Sequence, residues 1–181
     1  MFKIIALIIF ISFLGILEIS FPFIPEGLSL IFIFLTLLLL KEGQKEIIKK
    51  SEHKNFLLIA FILAGIFFDI YSIFSPGMFF FILLVIFFIA DRFLLYKFNF
   101  NRPVGVFIFS FLLNIIFQVL IVLVSLFLRF LNIFQIKVVF DEFYFLIILQ
   151  GIFLNSLLSL ILSLFLSRFK LKKIQKIIYY G

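Results

Sequence analysis

The sequence predicts an all-α integral membrane protein: a six-transmembrane-helix bundle with both termini on the cytoplasmic side. Two observations carry that expectation. Of 181 residues, 66% are hydrophobic, more apolar surface than a soluble chain of this length can hide from water. The apolar residues also come in long uncharged runs, such as Leu28 to Leu40, Met78 to Ala90 and Val104 to Leu128. A hydrocarbon layer of roughly 30 Å is crossed by about 20 such residues in a helix.

Taken in order, the predicted spans are about 3–21, 27–40, 55–73, 77–96, 104–131 and 143–169, all within a single transmembrane domain covering residues 1–181. The first follows Lys3 and meets no small-x-small cleavage pattern, since the chain runs on from Glu18 as Ile-Ser-Phe-Pro-Phe-Ile-Pro. It reads as an uncleaved anchor. The second span is short: its 14 residues rise roughly 21 Å. Pro22 and Pro25 predict an irregular start over Phe21 to Glu26, or a partly re-entrant segment, because proline lacks an amide donor and restricts the residue before it. The fifth and sixth spans are long enough to tilt. The longest polar stretch, Lys41 to Asn55, is compatible with a short interfacial helix with Ile47 and Ile48 toward lipid. No soluble domain and no internal repeat is apparent.

Charge sets the orientation. With the N-terminus inside, Lys3, Lys41, Lys45, Lys49, Lys50, Lys54, Arg92, Lys97, Arg102, Arg168, Lys170, Lys172, Lys173 and Lys176 face the cytoplasm, and only Arg129 and Lys137 lie outside. Basic residues concentrate on the cytoplasmic side of membrane proteins. The net charge of +7 is therefore read as topology rather than as nucleic-acid binding. The 33 phenylalanines have A/T-rich codons, as do Ile, Lys and Asn, and reflect base composition before any aromatic binding device.

Ionisable groups at membrane depth are costly and mark candidate functional positions. Glu18 falls near the outer end of the first span, where headgroup water is expected to reach it. Asp91 and Arg92 sit at the inner end of the fourth, satisfied by neighbouring charges or by snorkelling. Asp69 lies deeper. Counted from Asn55 it is 14 residues in, roughly 21 Å along a helix, so it must be protonated, paired, capping a backbone, or open to a polar crevice. Asn114 and Gln118 share one face of the fifth span, and Asn155, Ser156, Ser159 and Ser163 form a polar stripe on the sixth, with Gln150 one turn above. Such stripes mark helix–helix contacts, with a ligand pocket as the sharper alternative.

Catalytic chemistry finds little to use. There is no cysteine, and the single histidine, His53, lies in the charged inner loop. No buried Ser–His pair or histidine metal cluster can be assembled, and no glycine-rich phosphate cradle is present. A membrane carboxylate dyad would need Asp69 with Asp141, but Asp141 adjoins Glu142 in a loop, an ordinary place for charge. The expectation is a protein that is not an enzyme and holds no cofactor or metal.

From Gly65 the chain reads Gly65-Ile-Phe-Phe-Asp69-Ile-Tyr-Ser72-Ile-Phe-Ser-Pro76-Gly77. This run resembles the rod shape-determining protein MreD family. So do the size, the six spans and the proline-containing turn before the second of them. The resemblance covers most of the chain in architecture and about 13 residues in motif, and the charged loop Lys41 to Asn55 departs from it. It implies a bacterial inner-membrane scaffold acting with MreC and with MreB-associated wall-synthesis proteins to organise lateral peptidoglycan synthesis. The motif also has a purely structural reading, a hairpin in which Gly65 admits a neighbouring helix beside Asp69 and Pro76-Gly77 starts the next span. A runner-up is the substrate-binding S-component of an energy-coupling-factor vitamin transporter. That reading needs an outer ligand pocket and a small-residue docking strip on the first span, where Ala6, Ser12 and Gly15 stand without an Ala-x-x-x-Ala pair.

Overall fold

The computed structural model describes residues 2–20, 29–43, 50–72, 76–95, 97–98, 100, 102–131 and 142–179. These form α1 (Phe2–Ser20), α2 (Leu30–Gly43), α3 (Lys50–Tyr71), α4 (Met78–Ile89), α5 (Pro103–Phe130) and α6 (Glu142–Tyr179). α4 runs on without interruption into a π-helical turn, Ala90–Leu94, marked by the Leu95 N–H donating to the Ala90 carbonyl at 2.9 Å. Among the described residues there is no strand. The proline turn before α2, residues 44–49 of the Lys41 to Asn55 stretch with Ile47 and Ile48, and the loop carrying Asp141 lie outside the described residues.

Three helices are long and apolar enough to cross a membrane, over Lys54–Tyr71, Pro103–Phe130 and Phe145–Leu166. Pro103 opens α5 at the position where a missing amide donor costs nothing. α1 and α2 carry shorter apolar stretches, Ile4–Ser20 and Leu30–Lys41. α3 begins five residues before the expected start at Asn55. α6 continues ten residues past the expected end at Phe169.

Uniform apolarity decides where α2 sits. Ile31, Phe32, Ile33, Leu35, Leu39 and Leu40 are all buried, and α2 touches α1, α3, α5 and α6. A helix that is apolar all round belongs inside, not at the edge. Its 14 residues do not have to match the hydrocarbon thickness, because protein rather than lipid surrounds them. The shortest of the expected spans is thus the central one. Aromatic contacts join it to its neighbours: Phe32 stacks on Phe117 of α5 with ring centres 4.5 Å apart, and Phe34 meets Phe10 of α1 at 4.8 Å. The outward faces of α1, α5 and α6 remain apolar and exposed, with Ile9, Phe13, Phe127, Phe145 and Phe153 among them, the surface that lipid would cover.

Candidate functional site

The described residues of the motif, 65–72 at the end of α3 and Pro76 and Gly77 before α4, lie at one end of the α3–α4 hairpin. At Gly77 the backbone adopts φ 87, a left-handed conformation that a side chain disfavours. A Cβ there would meet nothing within 4 Å, so the requirement for glycine is conformational rather than steric. α4 then starts at Met78, and the N-cap residue Gly77 has no side chain with which to accept from the orphan amides of the first turn.

Asp69, in the last turn of α3, supplies the missing cap from across the hairpin. Its Oδ1 accepts from the Phe79 N–H at 2.8 Å, and its Oδ2 from the Phe80 N–H at 3.1 Å. Both oxygens are used, and the negative charge lies at the positive end of α4. Gly65 makes this reach possible. A Cβ on Gly65 would stand 2.6 Å from the Phe80 Cα and 3.1 Å from the Phe80 nitrogen. Only the missing side chain lets the two backbones come close enough for a carboxylate as short as aspartate to bridge them. Of the options left open for Asp69, backbone capping is the one observed. Ser72 does not join the constellation. Its amide continues the helix, donating to the Phe68 carbonyl at 2.9 Å, and its buried hydroxyl has no hydrogen-bond partner.

The far end of the same hairpin is tied by charge. Lys54, near the start of α3, donates to Asp91 Oδ2 at 2.5 Å. Asp91 is therefore answered across the hairpin from a helix 37 positions away in sequence, and it sits in the π turn, a local widening that recurs at functional sites.

Glu18 has a bonding role that its place near the end of a span did not reveal. It lies in the last turn of α1, partly buried, and its Oε2 accepts from the Leu30 N–H at 3.1 Å. This caps α2 as Asp69 caps α4. Two further groups complete the cap: the Ser29 hydroxyl accepts from the Phe32 N–H at 3.3 Å, and Asn155 Oδ1 accepts from the Ser29 N–H at 3.0 Å. Asn155 is 13 residues into α6, roughly 20 Å along it. α2 therefore begins against α6, and protein groups satisfy its first amides. A shared spacing carries the signal for this: Pro25 follows Glu18 by the same seven residues that separate Pro76 from Asp69, with Gly15 and Gly65 one turn ahead of the two carboxylates.

The other polar positions fall inside the α2–α5–α6 contact. Asn114 and Ser159 are buried with Asn155, and Gln118 is half-buried. Asn114 donates from Nδ2 to the Ser110 carbonyl of its own helix at 2.8 Å, while its Oδ1 and the hydroxyls of Ser110 and Ser159 have no partner. Gln150 is exposed. Among the described residues no three His, Asp or Glu side chains gather as a metal site. Comparison of the chain with protein-family models, with characterised proteins and with solved structures finds no significant match.

Proposed function

We propose that this protein is a non-enzymatic scaffold of the bacterial cell-elongation machinery. It is seated in the inner membrane as six spans with both termini inside and regulates cell shape and lateral peptidoglycan synthesis together with MreC and MreB-associated proteins. The single observation that carries the reading is the behaviour of the Gly65–Gly77 motif. Gly65, Asp69 and Gly77 act as one unit that fixes how α4 packs against α3. A motif that specifies geometry rather than reactivity suits a protein whose work is to present a surface.

The six-span reading takes the three long apolar helices and adds α1, α2 and α4 on grounds of charge and helix length. α1 has 19 residues, roughly 28 Å, and α4 with its π turn has 17 (Met78–Leu94), roughly 26 Å, each within reach of a hydrocarbon layer of about 30 Å. α2 is shorter but wrapped by its neighbours. Cysteines introduced at Ser51 and Gln175 are expected to resist an impermeant thiol reagent in intact cells, and one at Ser75 to react. Labelling at Ser51 or Gln175 in intact cells would overturn the orientation. For the function itself, depletion in a rod-shaped host is expected to widen or round the cells. Unchanged width together with vitamin uptake in the presence of a coupling subunit would replace the scaffold by the transporter reading.

A further inference from the structure

Between the start of α4 and the end of α5 lies a cleft of about 600 Å³, lined by Gly77, Met78, Phe81, Leu123, Val124 and Phe127 among others. Its size falls within the roughly 300–1,000 Å³ of ligand pockets, and among the described residues its lining side chains are all apolar. The geometry points to a membrane-lipid site: the cleft receives an acyl chain of an anionic phospholipid whose phosphate is held near Arg129.

Length separates an acyl chain from a partner helix as the occupant. The α4 wall, Met78 to Phe81, rises about 5 Å, and the α5 wall, Leu123 to Leu128, about 8 Å. A transmembrane helix packs along some 30 Å and is about 10 Å across, so a notch two turns deep cannot seat it. The upper part of one lipid chain, which crosses a half-layer of about 15 Å, fits such a notch. Depth agrees. The cleft lies at the helix ends beside the Pro76–Gly77 turn, where a chain joins its headgroup. Arg129 is exposed and follows the last lining residue, Leu128. From a helix end it can extend its guanidinium into the headgroup layer and meet a phosphate. The turn that Asp69 stabilises thus also forms one wall of the cleft. The inference rests on membrane insertion, whichever leaflet holds this end, and not on the elongation role.

The test uses the full chain in lipid nanodiscs containing phosphatidylglycerol with a photoactivatable group in its acyl chain. Labelling is expected to concentrate on peptides carrying residues 76–81 and 123–128. Unlabelled phosphatidylglycerol should compete at least fivefold better than phosphatidylcholine. Leu123→Trp, at a lining position that is already exposed, is expected to cut the labelling at least fivefold without changing thermal stability, and Arg129→Gln to abolish the preference between the two lipids. Labelling spread evenly over exposed faces such as Ile9 and Phe153 would overturn the site, as would equal competition by both lipids. Cross-links from those positions to another protein in place of lipid would overturn it too. Failure of the chain to enter nanodiscs would refute the membrane reading itself and is recognised by the absence of labelling anywhere.

Discussion

The two N-terminal hairpins solve one problem by different means. In α3–α4 a short carboxylate takes two amides of the next helix, the backbones touch at Gly65, and an ion pair ties the other end. In α1–α2 a longer carboxylate takes the Leu30 amide, and the cap is completed by Ser29 and by Asn155 from α6. The glycine differs as well. A Cβ on Gly15 would collide with the ring of Phe67 at 1.9 Å, a side chain that can swing, whereas a Cβ on Gly65 meets backbone. The α3–α4 hairpin is therefore self-contained, and α1–α2 is closed only once α6 is in place. Closing a helix end from within one hairpin needs only local approach; closing it from a distant helix makes the cap report on the whole bundle.

That contrast ranks the expected effects of substitution on unfolding in detergent. Asp69→Leu is expected to be the largest. It strands two amides at about 1–3 kcal/mol for each group that water cannot reach and removes a favourable charge at the helix start. Asp69→Asn keeps one oxygen for two donors and should lose about half as much; equal loss from the two variants would make charge, not bonding, the essential property. Gly65→Ala comes next, at about 1–3 kcal/mol for overpacking against backbone, and should exceed Gly15→Ala. The reverse order would show that α1 and α3 are pressed together more rigidly than the Phe67 ring suggests. Asn155→Leu is expected to cost about 1 kcal/mol and to loosen α1–α2 while leaving α3–α4 intact, as read by disulfide trapping across each hairpin. Lys54→Ala should be smallest, within about 0.2–1 kcal/mol, because the lysine is half exposed.

The hydrophobic runs were legible because hydrocarbon selects for apolar length regardless of detail, so α3, α5 and α6 follow from composition. The central place of α2 was present in its apolarity on every side but was masked by its shortness, which reads as a weak span rather than a protected one. Asp69 was legible as a position, since depth alone makes a carboxylate expensive, but its partner was not. The Phe79 and Phe80 amides belong to another helix, and nothing in side-chain spacing reveals which backbone donors are left over. The same holds for Glu18: counting residues placed it near the end of its helix, but the Leu30 amide that it holds belongs to another helix. For Asp91, sequence proximity pointed toward Arg92, while packing of α3 on α4 brings Lys54. The π turn has no sequence signal that we can identify.

The central claim is that one carboxylate closes the α3–α4 hairpin by holding two backbone amides. Amide hydrogen exchange at Phe79 and Phe80, read in wild-type protein and in Asp69→Leu at equal folded fraction, tests it most directly. Both amides are expected to be protected in the wild type and to lose that protection in the variant, while the Leu30 amide, held by Glu18, exchanges as before. Unchanged protection at Phe79 and Phe80 after Asp69→Leu would contradict it.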